Sequence, residues 1–336
     1  MKVIWITPAY DLEMRPEGIY SILASARYRA IIPARELAAR GHQASVVGLN
    51  AECFDAVLEQ LLDADRVVFR KNYFEAECTE RMLQEVRGRG VKTLFDLSDD
   101  RLTSWEGPHL QRMISQVDMI VTASPMLQEI VRQHTKRESF VVSDPFEGPK
   151  GEARWSPVGR RLKALWFGHP TNLDSLNTTI PALLQVGRKS PIDLRILTQR
   201  TDGIERECKE SNRRHRNALS LRFAEWSLAE TWSSLATTDF VIVPSKLDER
   251  QLLVKSPNRI IESLWAGRFV VAHPIPSYEE FGDWAWLGEN LAEGIAWMVD
   301  NGPLIVDRTR AAQDYIASTY SPQRIAAEWE KILEKT

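Results

Sequence analysis

Three neighbouring segments decide how this chain folds: DFVIVPS at 239–245, KSPNRIIESLWAG at 255–267 and FVVAHP at 269–274. The first and the third are short apolar runs, which are typical of the buried strands of a parallel sheet. The middle segment is entered through Ser256, and Pro257 suits the first turn of a helix. Gly267 sets the start of the second strand. A strand, a helix and another strand in this order predict an α/β fold.

Short apolar runs alternate with longer amphipathic stretches through most of the chain, and this pattern occurs twice. In the first half the predicted strands are 2–7, 43–49, 66–69, 92–96, 118–122 and 139–142. The helices predicted between them are 25–41, 54–62, 76–89, 108–116 and 125–134. In the second half the predicted strands are 162–167, 192–197, 219–224, 239–243 and 269–272. The helices predicted there are 174–188, 202–217, 227–235 and 257–266.

A segment rich in proline and glycine, from Asp144 to Arg161, separates the two halves and is typical of a linker. We therefore predict an α/β protein with two Rossmann-like domains facing a central cleft, over residues 1–148 and 160–320. A last helix at 322–334 begins with Ser321 as a suitable N-cap and a proline at its first position. We expect residues 321–336 to pack back on the first domain.

Composition excludes several classes of protein. A length of 336 residues favours two domains, and 43% hydrophobic with 26% charged residues is typical of a folded protein. The net charge of −3 argues against nucleic acid as a partner. The cysteines Cys53, Cys78 and Cys208 are odd in number and lack metal-ligand spacing, which predicts neither disulfides nor a metal site. Without a signal peptide or an apolar run of about 18 residues, the sequence predicts a cytoplasmic protein.

A basic stretch at 206–216 leaves two interpretations open. Its lysine and arginines are interleaved with glutamates, as on the solvated face of a helix. The alternative is contact with an anionic acceptor or a membrane surface. In the second case the protein would associate peripherally with the inner face of the membrane.

The start of the helix at 255–267 has the chemistry of an anion site. A helix N-terminus offers unpaired N–H groups and partial positive charge, and Lys255 and Arg259 add full charges beside it. These groups suit a phosphate or a diphosphate. Glu262 follows Arg259 by three residues, and its carboxylate is able to accept hydrogen bonds from two ribose hydroxyl groups. The alternative is a capped helix with lysine, arginine and glutamate on its surface.

This run resembles the donor site of GT-B glycosyltransferases, in particular the large retaining group that extends bacterial surface polysaccharides and glycolipids. Lys255, Glu262, Ala266-Gly267 and Val270-Val271 match its pattern, and the likeness extends over most of the chain. The resemblance implies that Glu262 binds the donor ribose. It implies that Lys255 and Ser256, with Asn258 and Arg259, face the diphosphate or the sugar.

The chain departs from the family pattern at one position. Members often carry a second glutamate eight residues before the ribose glutamate, and Val254 stands there. In the family this carboxylate is thought to contact the donor sugar. Either Glu249 or Asp248 substitutes for it, or the donor is handled differently.

The strand at 162–167 leads into a second candidate donor loop. Its Gly168 would let backbone approach a ligand at the carboxyl end of a strand, although an ordinary strand-to-helix turn is the alternative. The family places this loop beside the donor phosphates, which implies donor contacts for Gly168, His169 and Asn172. Arg200, after the strand at 192–197, would lie at the same edge and is a further candidate phosphate ligand.

Candidate catalytic residues also occur in the first half. Arg27 and Arg29 stand where the family's first loop and helix line the cleft, which implies that either arginine would reach an anionic donor or acceptor. The alternative is that these arginines, at the start of a helix, are solvated. Asp96, Asp99 and Asp100 follow a strand, where clustered acids repel unless they face water or positive charge. Asp99 and Asp100 are candidates to orient or deprotonate an acceptor hydroxyl; the alternative is that one of them caps a helix. The catalytic candidates are thus Arg27, Asp99, Asp100 and Lys255, the last through the leaving phosphate.

These observations predict a glycosyltransferase. It would move a sugar from a nucleotide-activated donor to a hydroxyl of a saccharide or a lipid-linked acceptor, in surface polysaccharide or glycoconjugate synthesis. No tightly bound cofactor and no metal are expected. Two alternatives remain open: a GT-B-like binding subunit without activity, to which Val254 points, and a sugar-nucleotide epimerase.

Overall fold

A computed structural model describes residues 1–71, 75–155, 161–248 and 254–335. The chain divides into two compact units, each built from separate stretches of sequence. The first unit consists of Met1–Pro145, Val254–Ser256 and Thr319–Thr336. The second unit consists of Phe146–Leu253 and Pro257–Ser318.

The first unit contains a parallel sheet of six strands within the described residues. In sheet order they are β4, β1, β5, β6, β7 and β8. Their ranges are Lys2–Pro8 (β1), Gln43–Leu49 (β4), Arg66–Arg70 (β5), Lys92–Leu97 (β6), Met119–Thr122 (β7) and Phe140–Val141 (β8). A short antiparallel hairpin, Glu13–Arg15 (β2) and Gly18–Tyr20 (β3), follows β1.

Helices cover both faces of this sheet. They are Ala24–Ala26 (α1), Ile32–Ala39 (α2), Phe54–Leu61 (α3), Ala76–Gly88 (α4), Gly107–Gln116 (α5), Pro125–Thr135 (α6) and Pro322–Lys335, which is the last helix of the chain and is labelled α14 below. The buried indole of Trp329 on α14 lies edge-to-face on that of Trp5 in β1, with the ring centroids 5.7 Å apart. The last helix therefore completes the core of the first unit.

The helix predicted at 25–41 is interrupted by one π-helical stretch. Residues Arg27–Ile31 form this stretch between α1 and α2. Arg27 and Arg29 on it are buried, which turns two charged side chains into the unit. Gly41 ends the region with a φ of 94°, a value that favours glycine.

The second unit contains its own parallel sheet, again of six strands within the described residues. In sheet order they are β11, β10, β9, β12, β13 and β14. Their ranges are Leu162–Phe167 (β9), Ile192–Thr198 (β10), Leu219–Glu225 (β11), Phe240–Val243 (β12), Phe269–Ala272 (β13) and Trp286–Leu287 (β14). The chain thus runs to one side of β9 and then returns to its other side at β12.

Seven helices are described between the strands of the second unit and after them. They are Leu173–Asn177 (α7), Ile180–Gly187 (α8), Ile204–His215 (α9), Leu228–Thr237 (α10), Asn258–Trp265 (α11), Leu291–Asp300 (α12) and Gly302–Thr319 (α13). Of the helices described, none combines the length and the apolar character that a membrane span requires.

The segment predicted as a linker is largely packed into the second unit. A Cβ on Gly151 would lie 2.1 Å from the carbonyl oxygen of Ala266, so only glycine permits this approach of the two backbones. Phe146 stacks on Trp265, with ring centroids 4.2 Å apart. Proline and glycine here serve close packing as well as chain reversal. The predicted class, α/β with two Rossmann-like sheets, is confirmed.

Candidate functional site

The carboxyl ends of β9 and β12 form the crevice of the second sheet. The strand order reverses between these two strands, and open α/β sheets bind ligands at such a point. Gly168 follows β9 directly, and its N–H donates to the carbonyl of Leu197 at 3.2 Å. This bond continues the ladder to β10 and fixes the turn that leaves the sheet.

Three residues predicted to bind the donor meet at this turn. A Cβ built on Gly168 would lie 3.7 Å from Nη1 of Arg259 and 3.7 Å from Nδ2 of Asn172. Nη1 of Arg259 is buried and has no hydrogen-bond acceptor among the described residues. A buried N–H group without an acceptor is costly, and an anionic ligand would satisfy it. The space left by the missing side chain of Gly168 therefore borders a group that attracts anions.

Helix α11 begins one residue later than the sequence predicted. Pro257 takes the N-cap position, with φ −79° and ψ 16°, and its carbonyl accepts from the N–H groups of Ile260 and Ile261. Ser256, predicted as the entry to the helix, therefore lies before the cap. Proline supplies the first carbonyl of the helix without needing its own N–H, so it suits this position as well as the first turn.

The other candidates around α11 are divided between the two units. Glu262 lies on α11 in the second unit and is 6% exposed, whereas Asn258 is half-buried at the start of the helix. Lys255 and Ser256 are half-buried and belong to the first unit. Among the candidate donor residues, Gly168, Asn172 and Arg259 are the three that the distances given above place next to one another.

Val254, the departure from the family pattern, is a packing residue. It is 3% exposed and joins the hydrophobic core of the first unit, with β1, β5 and β6. A carboxylate in this position would be buried among apolar side chains, which is costly. Of the two proposed substitutes, Asp248 is exposed and Glu249 lies outside the described residues.

His169 shapes the turn that follows β9. Its Nδ1 lies 3.0 Å from Oγ1 of Thr171 and accepts from the N–H of that residue at 3.3 Å. These contacts hold the 3-10 turn Pro170–Asn172, which carries Asn172 to Gly168. The exposed His169 side chain therefore contributes to the site through the turn.

Arg200 is already paired with carboxylates. Its Nη1 lies 2.5 Å from Glu205 and its Nε lies 3.4 Å from Glu225. The side chain is 60% exposed and also borders an open groove of about 490 Å³ along the first turns of α9. With two carboxylates beside it, the charge of this arginine is already largely compensated.

A second polar cluster lies at the carboxyl edge of the first sheet, where the strand order reverses between β1 and β5. We call it the first-unit polar edge: Asp11, Arg70, Lys71 and Asp99. Nη1 of the buried Arg70, the last residue of β5, donates to Oγ1 of Thr7 in β1 at 2.7 Å. Burial raises the pKa of Asp11, against the opposing effect of Arg70 and Lys71. The pair Arg70-Lys71 at the end of an apolar strand is the sequence signal for this cluster, which was not among the predicted site residues.

Asp99, a predicted catalytic residue, belongs to this edge. Its carboxylate accepts a short hydrogen bond from Lys71 and one from Oγ of Ser98 at 3.3 Å. Burial alone would raise the pKa of Asp99, but the ammonium of Lys71 outweighs it and lowers that pKa. Its side chain is still 44% exposed. Asp99 is therefore ionised at neutral pH and accessible to a hydroxyl group.

Asp100 and Arg27, two further predicted catalytic residues, both contact the backbone of the first unit. Asp100 is 4% exposed, and its Oδ1 accepts from the N–H of Leu102 at 3.4 Å. Since α5 begins at Gly107, neither Asp99 nor Asp100 caps it. Nη1 of Arg27 donates to the carbonyls of Ser21 and Ile22, at 3.0 and 2.9 Å, and so holds the chain that enters α1.

Arg29 and Asp96 form the buried core of a charge network. Arg29 is 1% exposed, and its Nη2 lies 2.5 Å from Asp96 while its Nη1 lies 3.1 Å from Asp144. Burial opposes the charge of Arg29, yet the two carboxylates raise its pKa. These side chains fix the π-helical stretch to β6 and to the end of the first unit.

Solved structures resemble the chain over its whole length. A glycosyltransferase from Rickettsia africae ESF-5 matches with a TM-score of 0.69 and 12% identity, over 99% of this chain and 98% of its own. The catalytic domain of starch synthase IV from Arabidopsis thaliana, bound to ADP and acarbose, matches with 0.67 and 10%, over 99% of each chain. TarM matches with 0.63 and 14% over 84% of this chain, which spans 58% of the length of TarM.

No family model and no curated protein matches the sequence. At identities this low, the structural likeness defines the fold. The chain has the GT-B fold, as its donor-site pattern predicted.

Proposed function

We propose that this chain transfers a sugar from a nucleotide diphosphate sugar to a hydroxyl group of an acceptor. The observation that carries the proposal is Nη1 of Arg259, buried without an acceptor among the described residues beside the Gly168 turn. It lies at the crevice where open α/β sheets bind ligands. The bound ADP of starch synthase IV supports a nucleotide diphosphate as the leaving group.

The chemistry needed is stabilisation of charge on the leaving diphosphate. As the bond from the sugar to the phosphate breaks, negative charge grows on the phosphate oxygens. Arg259 supplies a charged donor, and the N-terminus of α11 supplies partial positive charge. Glu262 would hold the ribose, and Asn258 would complete the diphosphate contacts.

The acceptor side belongs to the first unit. Asp99 is ionised and accessible, so it is suited to accept a hydrogen bond from an acceptor hydroxyl and to orient it. The large exposed hydrophobic side chains of the described residues all lie in this unit, apart from Leu304. They suit a saccharide acceptor with a lipid anchor and peripheral contact with the inner face of a membrane, as in surface polysaccharide or glycoconjugate synthesis.

Nucleotide binding tests the donor site. We expect ADP, UDP or GDP to bind the full chain in isothermal titration calorimetry, and Arg259→Gln to weaken the best of them at least about tenfold, since a charged hydrogen bond contributes roughly 1.5–3 kcal/mol. Arg188→Gln, an exposed arginine of the same unit, is the matched control and should bind as the parent does. Binding unchanged by Arg259→Gln would refute the proposed site.

Turnover separates the activity from its alternatives. With a donor panel and saccharide acceptors, a transferase releases nucleotide diphosphate only as acceptor is consumed. Release of a free epimerised sugar without acceptor would identify an epimerase. Nucleotide binding without turnover of any donor would identify a binding subunit.

A further inference from the structure

The second unit holds a small cavity far along the sheet from the Gly168 turn. Its volume is about 230 Å³, and its walls come from the segment 149–154, from α10 and from the start of β13. Arg268 stands immediately before β13, so the cavity lies at the amino ends of the strands. The proposed donor site lies at their carboxyl ends, and the two sites share no residue.

Arg268 is the buried charge of this cavity. It is 3% exposed; Nε donates to the carbonyl of Leu235 at 2.6 Å, and Nη1 donates to those of Gly267 and Glu152 at 3.0 and 3.3 Å. Nη2 has no acceptor among the described residues. Arg268 therefore has a hydrogen-bond donor left for a ligand in the cavity that it lines.

Arg154 adds a second positive charge at the exposed rim. One of its terminal nitrogens donates to the carbonyl of Ala236, a neutral acceptor. Among the described residues no carboxylate lies within 4.0 Å of the guanidinium of Arg154 or Arg268. Glu152 lines the cavity with an exposed side chain, and the nearby carboxylate of Asp239 accepts from the N–H of Lys163 at 2.8 Å.

The surroundings of Arg268 disfavour the charged form of its guanidinium. Burial lowers the pKa of Arg268 most, and the like charge of Arg154 lowers it further, to about 10. The carboxylates of Asp239 and Glu152 raise this pKa, but they offset the lowering only in part. An anion between the two guanidinium groups would relieve both effects, since it replaces lost hydration and offsets the repulsion.

We propose that this cavity is a second anion site, which binds a phosphate group held by Arg268 and Arg154. Its volume falls below the roughly 300–1,000 Å³ of pockets for drug-sized ligands. A free phosphate or the phosphate of a small monoester fits this size, and a nucleotide sugar does not. Because Arg268 also ties Leu235 and Glu152 to the start of β13, occupation stabilises the second unit.

Equilibrium dialysis of the full chain against radiolabelled inorganic phosphate tests the site. The measurement is made in the Arg259→Gln background, so that the proposed donor site does not contribute, and at constant ionic strength. We expect one phosphate per chain, with binding weakened at least tenfold by Arg154→Gln and abolished by Arg154→Glu. Arg188→Gln is the control and should leave binding unchanged.

Charge reversal gives a second readout that does not depend on a ligand. The exposed Arg154→Glu side chain places a carboxylate near Arg268, so this variant should melt at a higher temperature than Arg154→Gln in phosphate-free buffer. Competition with methyl phosphate separates the two sources: displacement of the label indicates a monoester site, and no displacement indicates a site for free phosphate. No phosphate binding, or binding that Arg154→Gln leaves intact, would overturn the proposal whether or not the donor site binds nucleotide.

Discussion

At the scale of single residues, the glycines of the second unit include some that pack tightly on backbone and others, such as Gly168, that leave room for a methyl group. Cβ atoms at Gly151 and Gly267 would lie 2.1 and 2.3 Å from backbone oxygens, so these positions exclude any side chain. A Cβ at Gly168 would meet its nearest neighbours at 3.6–3.7 Å, which is ordinary van der Waals contact. Gly168 is therefore not needed for packing, and its lack of a side chain serves the space next to Arg259.

The variant Gly168→Ala tests this distinction. We expect the melting temperature to stay close to that of the parent, because the added methyl group makes no clash. Nucleotide affinity should fall about tenfold, or roughly 1.4 kcal/mol, since the methyl group fills the space where we place the phosphates. Calorimetric titration with the best-binding nucleotide measures both enthalpy and affinity.

Gly88→Ala is the matched control, since a Cβ there meets nothing within 4 Å. It should keep the nucleotide affinity of the parent. If Gly168→Ala bound nucleotide as tightly as Gly88→Ala, the diphosphate would have to lie elsewhere.

Arg29 supports a prediction about stability. Arg29→Met removes the cation between Asp96 and Asp144 and leaves two buried carboxylates without their charged partner. Breaking a buried ion pair in this way costs about 3–5 kcal/mol. Urea denaturation should show this loss in the free energy of unfolding.

The exposed pair of Arg15 and Glu13 provides the comparison. Arg15→Met should leave the urea midpoint unchanged, because solvent already screens that charge. A midpoint equal in Arg29→Met and Arg15→Met would contradict a structural role for the buried network.

The candidate site residues that could be predicted from the sequence are those next to a clear strand or helix pattern. Gly168 and Arg259 each stand at the end of a strand or the start of a helix, where the sequence alone marks an anion site. Arg70 was missed although it stands with Lys71 at the end of an apolar strand, and its contact with Thr7, 63 residues away, has no local signal. Arg268 was missed because the wall of its cavity comes from separate elements. Contacts between distant segments arise from packing, and local spacing does not encode them.

At the scale of elements, the strands of the two parallel sheets other than β14 were predicted to within one or two residues because continuous apolar runs mark buried parallel strands. The two-residue strand β14 was missed. The hairpin β2–β3 was missed because three-residue strands with exposed side chains carry no such run. Helices α12 and α13 were also missed. The hydrophobic pattern also gave no sign that Arg27–Ile31 would form a π-helical stretch, on which Arg29 is buried against Asp96.

Helices α4 and α5 are joined by a carboxylate whose ionisation sets a pH dependence. Glu80 on α4 lies 2.6 Å from Nδ1 of His109 and 2.9 Å from Arg112, both on α5. Burial alone would raise the pKa of Glu80, but hydrogen bonds from Arg112 and His109 outweigh it and lower the pKa below 4.5. The ionised form is thus favoured by folding, so its stabilisation is present above pH 4.5 and is lost as the pH falls through the lowered pKa.

Glu80→Gln removes this ionisation. At pH 7 the variant should be less stable than the parent by about 1 kcal/mol. The difference should shrink as the pH is lowered from 4.5, because the parent carboxylate is then protonated. Thermal denaturation at a series of pH values measures it, and a difference that stays constant down to pH 3 would contradict this assignment.

At the scale of the whole molecule, the last 18 residues of the chain belong to the first unit, although the preceding stretch Pro257–Ser318 belongs to the second. Trp329 carries this return, with no exposed surface and with its ring on Trp5. The first unit therefore depends on a segment made after the second unit is complete.

Two tryptophan variants should separate the stabilities of the units. Trp329→Ala leaves a cavity in the first unit at a cost of about 3–5 kcal/mol. Trp297→Ala is its counterpart, because Trp297 packs on Phe269 in the second unit with ring centroids 6.0 Å apart. In native-state hydrogen exchange followed by mass spectrometry, Trp329→Ala should speed exchange in residues 1–145 and 319–336, whereas Trp297→Ala should speed it in 146–318.

Because the proposed donor residues Gly168, Asn172 and Arg259 all lie in the second unit, Trp329→Ala should keep nucleotide binding while transfer to an acceptor falls. Equal acceleration throughout the chain in both variants would mean that the units unfold together, and the assignment of donor and acceptor functions to separate units would lose this support.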